Sequence, residues 1–281
     1  MTNSTRTWLI TGCSTGFGRE LAALLIARGE RVFATARNPD QLADLVDGHP
    51  NATALKLDVT VDTNIAAAAA VVEAAGGADV LVNNAGYGYL TAFEEGDAAG
   101  YRAQFETNMF GLIAMTQAVL PGMRERRRGH IVNIASVGGL VGNPGSSFYA
   151  ATKFGVVGLS EALSKEVGPL GIKVTVVEPG PFRTDWAGRS LQSASERIPD
   201  YARTVHERLD QVAGYSGHQP GDPVRAAQAI ITAVDSEQPP LNLVLGAPGL
   251  KMVREKLTAL TAEIDRWESV TLGADYPDGE S

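Results

Sequence analysis

Short runs of consecutive apolar residues alternate along the chain with longer stretches in which apolar residues recur every three or four positions. Continuous apolar runs are typical of parallel strands covered on both faces, and the longer stretches predict amphipathic helices. This alternation predicts an α/β fold with a doubly wound parallel sheet, helices on both faces and right-handed crossovers. About seven strands are predicted, at residues 7–11, 31–36, 53–59, 79–85, 130–136, 173–179 and 242–246.

Two segments interrupt the alternation. Residues 183–221 form a long polar insertion between the sixth and seventh predicted strands, and a connection of this length is typical of a lid over a binding site. Residues 248–281 predict a C-terminal helix that either packs on its own body or contacts another subunit. Its apolar stripe consists of Leu250, Val253, Leu257, Leu260, Ile264 and Trp267. No linker composition divides the chain, so we expect a single domain over residues 1–281.

Charge and composition exclude several classes of function. A formal net charge of −8 and a pI near 5.1 argue against a nucleic-acid or anionic-membrane surface, because each requires a basic face. Cys13 is the only cysteine, which rules out an intramolecular disulfide, and the four scattered histidines predict no metal site. No long apolar segment is present, so we expect a soluble, cytoplasmic protein.

Three glycines follow the first predicted strand, in the segment LITGCSTGFGRELA at residues 9–22. Gly12, Gly16 and Gly18 would let the backbone turn tightly and approach a pyrophosphate, and the following helix would offer free N–H donors. Their position between a strand and an amphipathic helix predicts a dinucleotide site. The alternative is that the glycines serve only a tight turn. Cys13, within this loop, is interpreted as a small filler.

A tyrosine and a lysine lie four residues apart in the segment GSSFYAATKFG, residues 145–155. On a helix, this spacing places Tyr149 and Lys153 on one face. A nearby ammonium favours the phenolate, so we expect the pKa of Tyr149 to fall from about 10 towards neutrality. A general acid/base works best there, giving a proton to a ketone oxygen as hydride reaches carbon, or taking it from an alcohol.

Two further polar residues accompany this pair. Ser136 ends a predicted strand, at the sheet edge where α/β sites form, and its hydroxyl would align the reacting oxygen. Ser147 is nearer to Tyr149 in sequence but is less favoured because we expect it in a loop. Asn108 falls within a helical pattern, where asparagine is unfavourable, so it is a candidate for a role in the site. The alternative interpretation is an ordinary residue on the surface of the helix.

Five ordered motifs resemble the short-chain dehydrogenase/reductase (SDR) family, in its compact single-domain branch. TGCSTGFG is similar to the family's cofactor signature, NNAG at residues 83–86 to its second signature, and YAATK at residues 149–153 to its active-site motif. Asp58 matches the position that contacts adenine, and EPGPFRTD at residues 178–185 matches the segment that closes over the nicotinamide. The likeness covers residues 7–247 and extends to hydroxysteroid- and retinol-type members. It implies a Rossmann fold and an NAD(P)-dependent oxidoreductase acting on CH–OH groups.

The resemblance also implies roles for individual residues. Lys153 would hold the cofactor ribose, and Asn108 would hold a water that relays protons from the lysine to solvent. The expected catalytic residues are Asn108, Ser136, Tyr149 and Lys153. The residues expected at the cofactor are Gly12, Ser14, Thr15, Gly16, Phe17, Gly18, Arg37, Asp58, Val59, Asn84, Ala85, Gly86, Tyr149, Lys153, Pro179, Gly180, Phe182 and Thr184.

The end of the second strand bears on the choice of cofactor. A ribose 2′-hydroxyl favours an acidic partner there, whereas a 2′-phosphate favours arginine. Ala36 occupies the position of the acid and Arg37 follows it, which favours NADP. If Arg37 is only a solvated loop residue, NAD remains possible.

The leading hypothesis is an oxidoreductase that moves hydride between NADP(H) and a secondary alcohol or ketone, that is, a carbonyl reductase. The residues expected at a mostly apolar substrate are Val137, Asn143, Phe148 and Trp186. His206 in the insertion is expected at a solvated helix position, with substrate contact as the alternative. A redox sensor that binds cofactor without turnover is the competing function. An epimerase of the extended branch is disfavoured, because the glycine spacing differs. We expect a homodimer or homotetramer, and no nucleic-acid or membrane partner.

Overall fold

Parallel pairing joins seven strands into one sheet within the part of the chain that the computed structural model describes, residues 5–187, 191–194 and 196–276. The strands of this sheet are β1 (Thr7–Ile10), β2 (Arg31–Ala36), β3 (Ala52–Lys56), β4 (Val80–Asn83), β6 (Gly129–Ile134), β7 (Ile172–Pro179) and β9 (Asn242–Leu245). The short strands β5 (Gly88–Tyr89) and β8 (Leu191–Gln192) pair separately. The order across the main sheet is β3-β2-β1-β4-β6-β7-β9, which confirms the predicted doubly wound parallel sheet.

Helices cover both faces of this sheet. They are α1 (Gly16–Ala27), α2 (Ala43–Val46), α3 (Asp62–Ala74), α4 (Ala98–Phe105), α5 (Gly111–Arg126), α6 (Ser147–Val167), α7 (Glu207–Gly214), α8 (Pro223–Asp235) and α9 (Ala247–Leu272). Neighbouring residues of β1 point to opposite faces: Trp8 and Ile10 pack with α1 and α8, whereas Leu9 packs with α3 and α5. Burial on both faces is the reason that the strands are continuous apolar runs.

The strand order reverses between β1 and β4, and the loops after these two strands therefore separate. Such a reversal opens a crevice at the carboxyl edge of a parallel sheet. β4 also ends earlier than predicted, at Asn83, because the next side chain, Asn84, turns back to donate to Thr11 O and Gly12 O. The Asn84 side chain thus joins the two loops that border the crevice.

The insertion and the C-terminal segment depart from the rhythm of the sheet, as predicted. Within the insertion, a π-helical turn (Ala202–His206) leads into α7, and Asp222 caps α8 through bonds from the backbone N–H groups of Val224 and Arg225. Residues 188–190, 195 and 277–281 of these two segments lie outside the described residues.

The C-terminal helix corrects one expectation. The interpretation that it packs on its own body holds only for its first two turns, where Gly249 and Val253 are buried. Every described residue from 254 onward is exposed. In the described part of the chain, neither this helix nor any other combines the length and the apolar character that a membrane crossing requires.

Candidate active site

A cavity of about 950 Å³ opens at the carboxyl edge of the sheet, where the loops after β1, β4, β6 and β7 meet. The structure brings most of the predicted site residues together around it. Those that line it are Gly12, Ser14, Thr15, Gly16, Phe17, Arg37, Asp58, Val59, Asn84, Ala85, Gly86, Ser136, Val137, Asn143, Tyr149, Lys153, Pro179, Gly180, Phe182, Thr184 and Trp186. Three predicted residues lie outside this lining: Gly18, Asn108 and Phe148.

The glycine loop shapes one end of the cavity. Gly12 and Gly16 have φ values of 71° and 61°, in the left-handed region where a side chain would be strained. A Cβ at Gly18 would lie 2.5 Å from Gly12 O, so this glycine permits close packing beneath the loop. Thr15 precedes α1 without a side-chain capping bond, which leaves the first backbone N–H groups of the helix available to an anion.

One threonine fixes the distance between the two loops that flank the reversal. Thr11 Oγ1 accepts hydrogen bonds of 2.9 Å from the backbone N–H groups of Asn84 and Ala85. Because Thr11 precedes the first glycine, this contact holds the NNAG segment against the glycine loop. Sequence reasoning missed Thr11, since nothing in its type or position distinguishes it from a strand residue.

The ends of β2 and β3 form the far end of the cavity. Ala36 is buried there, and the exposed Arg37 lines the cavity without an ion pair to any described residue. Arg19 of α1, by contrast, pairs with Asp44. Asp58 lies beyond the end of β3, where its carboxylate accepts bonds from the backbone N–H and hydroxyl of Thr60. Arg37 is therefore the cation at this end that has no carboxylate partner in the described chain.

Helix α6 carries the tyrosine and the lysine on one buried face, as their spacing predicts. Lys153 Nζ lies 5.8 Å from the centre of the Tyr149 ring and donates a 2.8 Å hydrogen bond to Ile134 O at the end of β6. Ser136 begins a short turn after the same strand, and its Oγ accepts from the backbone N–H of Gly138. A Cβ at Gly138 would lie 3.2 Å from Tyr149 Cε1 and 3.3 Å from Ser136 Oγ, so a side chain there would push these groups apart by a few tenths of an ångström.

The acidity of the tyrosine differs from the sequence prediction. Burial raises the pKa of Tyr149 to about 12, and the nearby Ser136 hydroxyl lowers it only in part. Burial also lowers the pKa of Lys153 to about 8, because desolvation disfavours its charged form. The expected fall of the Tyr149 pKa towards neutrality is therefore wrong, because desolvation by burial outweighs the lowering by Ser136.

Asn108 lies in a π-helical turn (Glu106–Phe110) between α4 and α5, so the helix is interrupted at this asparagine. The residue is buried, and its side chain accepts a 3.0 Å bond from Tyr87 N and donates a 2.9 Å bond to Tyr87 O. A Cβ at Gly86 would lie 3.1 Å from Asn108 Oδ1 and 3.6 Å from Lys153 Nζ. Asn108 thus lies behind the cavity wall, close to the lysine, and its surface alternative is wrong.

Comparison with known proteins identifies the family. The family model described as short chain dehydrogenase matches residues 6–194. Oxidoreductase BOA17 of Botryotinia fuckeliana is 36% identical over 273 residues, which cover 96% of this chain and 99% of that protein. This chain is a short-chain dehydrogenase. It belongs to a family of oxidoreductases, as its sequence motifs predict.

Other relatives of this short-chain dehydrogenase carry more specific names. The 3-ketodihydrosphingosine reductase of Bacteroides thetaiotaomicron is 37% identical over 85% of this chain and 87% of its own length. A crystal structure of a short-chain dehydrogenase from Streptomyces avermitilis is 45% identical, with a TM-score of 0.91 over 98% of this chain and all of that one. A serine dehydrogenase complexed with NADP+ is 28% identical, with a TM-score of 0.74 over 85% of this chain and 94% of its own.

The remainder of the cavity in this short-chain dehydrogenase lies beside the phenol. The ring of Trp186 is centred 5.3 Å from that of Tyr149 and packs over Gly88, where a Cβ would lie 2.8 Å from the indole. Phe182 meets Phe17 of the glycine loop edge-on, at a centroid separation of 5.2 Å. Phe182, immediately before the insertion at residues 183–221, and Trp186 within it therefore line both parts of the cavity. The role of the insertion as a lid stays a prediction.

Phe148 does not contribute to this cavity, although it precedes Tyr149. Its ring stacks on those of Tyr101 and Phe93, at centroid separations of 4.8 and 5.2 Å. On a helix, neighbouring side chains point about 100° apart, so the residue before an inward tyrosine faces elsewhere. The structure therefore gives no support to the expected substrate contact of Phe148.

A buried carboxylate holds the insertion at residues 183–221 to the body of this short-chain dehydrogenase, and sequence reasoning missed it. Glu95 accepts 2.7 Å bonds from Ile198 N and from His206 Nε2, and its side chain is almost fully buried. Burial would raise the pKa of Glu95, but these two partners stabilise the carboxylate and leave its pKa below the usual value. The expected solvated position of His206 is wrong, because Glu95 is 111 residues away in sequence and no local pattern links the two.

Proposed function

We propose that this short-chain dehydrogenase transfers hydride between NADP(H) and a mostly apolar secondary alcohol or ketone. The observation that carries the proposal is the meeting of Ser136, Tyr149 and Lys153 at the wall of one cavity that also contains the glycine loop. Such a cavity, with convergent polar groups and shifted pKa values, is the arrangement expected of an enzyme site.

Each catalytic side chain has one role in this proposal. Tyr149 passes a proton to the substrate oxygen during reduction, and its pKa of about 12 keeps it protonated at neutral pH. Ser136 donates a hydrogen bond that holds the same oxygen. Lys153 holds the cofactor ribose, and Asn108 connects the lysine to solvent through a water.

The residues at the sheet edge suit a dinucleotide. Gly12 and Gly16 adopt backbone conformations that only glycine accepts readily, beside the open N-terminus of α1. A bound nicotinamide would supply or accept the hydride, which is chemistry that no side chain provides. The protein's part is to orient the two reactants and to exclude water.

The choice of NADP over NAD rests on Arg37 and Ala36. Arg37 has no acidic partner in the described chain, and no carboxylate at position 36 opposes a 2′-phosphate. Support comes from two structural neighbours that contain this cofactor: the serine dehydrogenase with NADP+ and a Sphingobium yanoikuyae short-chain dehydrogenase with NADPH, which is 26% identical.

The proposed substrate class follows from the walls around Tyr149. Trp186, Leu90 and Val137 supply apolar surface, and Asn143 adds an amide at the rim. A relative named as a 3-ketodihydrosphingosine reductase points in the same direction, because such a ketone bears a long hydrocarbon chain. We therefore propose hydroxylated rings or acyl chains as the substrate class.

The experiment follows NADPH absorbance while the purified protein is offered a panel of apolar ketones and small polar ketones. We expect turnover of apolar ketones with NADPH, and a loss of about 10²–10⁴-fold in rate for Tyr149→Phe, which lacks the proton. Tyr101→Phe is the matched control, because Tyr101 stacks on Phe148 outside the cavity. The redox-sensor alternative would be favoured if the parent protein turned over no substrate and Tyr149→Phe bound the cofactor as well as the parent does.

A further inference from the structure

Helix α9 extends away from the rest of its own chain. Its first two turns are anchored, since Val253 is buried and a Cβ at Gly180 would lie 3.1 Å from Gly249 N. Beyond Val253, every described residue of the helix is exposed. About five turns of helix therefore have no cover from their own chain within the described residues.

This exposed part carries a continuous apolar stripe. Leu257, Leu260, Ile264 and Trp267 are 57%, 39%, 57% and 55% exposed, at alternating spacings of three and four. The same spacing continues back through Val253 to Leu250. A stripe of this periodicity is the seam of a two-helix coiled coil, and a large exposed apolar patch marks an interface.

We propose that the stripe pairs with the same stripe of a second copy of this chain, as an antiparallel two-helix contact around a two-fold axis near residue 262. In this register Leu257 of one copy faces Trp267 of the other, and Leu260 faces Ile264. Each large residue thus meets one of complementary size, and a two-fold contact closes on itself without leaving apolar surface for further copies.

The charges beside the seam select the antiparallel direction. Antiparallel pairing places Arg254 of each copy beside Glu268 of the other, an attractive pair formed twice, and brings the two Glu263 side chains together once, at the axis. Parallel pairing would instead place Glu263 beside Glu268 of the other copy, a repulsion formed twice. The charges beside the stripe therefore favour the antiparallel orientation, and the apolar residues of the stripe favour the contact itself.

The overall charge of the helix disfavours a lipid surface as the occupant. The helix has four cations, Lys251, Arg254, Lys256 and Arg266, and four anions, Glu255, Glu263, Asp265 and Glu268. Helices that lie on anionic membranes have a polar face rich in lysine and arginine, and the whole chain carries a charge of −8. A second copy needs no cationic face, because the helix carries as many cations as anions.

The first test compares the mass of the assembly by light scattering. We expect Leu257→Glu with Ile264→Glu to halve the mass, while turnover and helical content persist because neither residue contacts the body. Ala262→Glu with Ser269→Glu adds the same charge on the opposite side of α9 and should leave the mass unchanged. If Leu257→Glu with Ile264→Glu has the same mass as the parent protein, the proposal is overturned.

The second test resolves the orientation. Glu268→Arg alone should weaken an antiparallel contact, whereas it would strengthen a parallel one by removing the repulsion with Glu263. Adding Arg254→Glu to Glu268→Arg should restore the parent mass in the antiparallel arrangement. If the mass is not restored, the antiparallel arrangement is wrong. If the parent protein binds phosphatidylcholine vesicles, and Leu257→Glu with Ile264→Glu abolishes that binding, the proposed contact with a second copy is wrong. These masses do not depend on the reaction proposed for the cavity.

Discussion

Glu95 Oε1 lies 2.7 Å from Nε2 of His206, and this buried contact connects the loop after β5 to the lid. The same carboxylate receives Ile198 N from a second point of the lid. The apolar cluster beneath includes Leu90, Val205 and the ring of Tyr149, so the position of the insertion is coupled to Tyr149 through packing. A side chain outside the cavity thereby helps to set the shape of the cavity.

We expect Glu95→Gln to raise KM by about tenfold, with a smaller effect on kcat. Charge-assisted hydrogen bonds contribute more than neutral ones, and their loss would let the lid open more often. Steady-state kinetics and proteolysis within residues 183–221 measure both effects. Glu94→Gln is the control, because Glu94 accepts a hydrogen bond from Tyr201 OH at an exposed site. Equal effects of the two variants would rule out a specific role for Glu95.

The rate of ketone reduction should fall as the pH rises above about 8. Burial lowers the pKa of Lys153 to about 8, so the ammonium loses its proton in that range while Tyr149, with a pKa of about 12, remains protonated. A neutral lysine holds the ribose less well and no longer supports charge on the phenol. A profile of kcat/KM between pH 6 and 10 checks this, and a constant rate up to pH 10 would show that Lys153 does not titrate there.

Arg37→Gln should raise KM for NADPH by about tenfold and leave KM for NADH nearly unchanged. The guanidinium is the group placed to pair with a 2′-phosphate, and charge-assisted pairs of this kind are among the stronger hydrogen bonds. Arg31→Gln changes the opposite end of the same strand, where Arg31 bonds to Ala75 O, and should alter neither value. Parallel losses with both cofactors would argue that Arg37 contributes only to folding.

Glu178 gives a prediction about stability. It is fully buried in β7, and burial raises its pKa from 4.5 to about 7, although a backbone hydrogen bond from Leu243 lowers it in part. The folded state therefore binds more protons than the unfolded state between these values, so stability falls as the pH rises through that window. The loss is complete above pH 7 and is on the order of 3 kcal/mol.

Glu178→Gln removes this ionisation while keeping the shape of the side chain. We expect its Tm to exceed that of the parent by roughly 5 °C at pH 8 and to match it at pH 4 to 4.5. Thermal unfolding monitored by circular dichroism at both pH values measures the difference. Glu73→Gln, at an exposed ion pair with Arg126, should show no such pH dependence. An equal Tm of parent and Glu178→Gln at pH 8 would mean that the carboxylate is solvated.

The sequence by itself determined the features that depend on neighbours along the chain. Continuous apolar runs predicted the parallel strands, because strands buried on both faces need apolar residues at every position. A spacing of four placed Tyr149 and Lys153 on one helix face, and the glycines between β1 and α1 predicted the turn that they form. Asn108 was unfavourable in its helical pattern, and the helix is interrupted there by a π-helical turn.

Only the tertiary structure decided the properties that depend on what surrounds a side chain. Packing against distant elements raises the pKa of Tyr149, contrary to expectation, and places His206 against Glu95. It also buries the carboxylate of Glu178. Phe148 faces an aromatic cluster, and α9 leaves its own body after Val253. Burial and long-range contact come from segments that meet only on folding, so no local pattern of residues contains them.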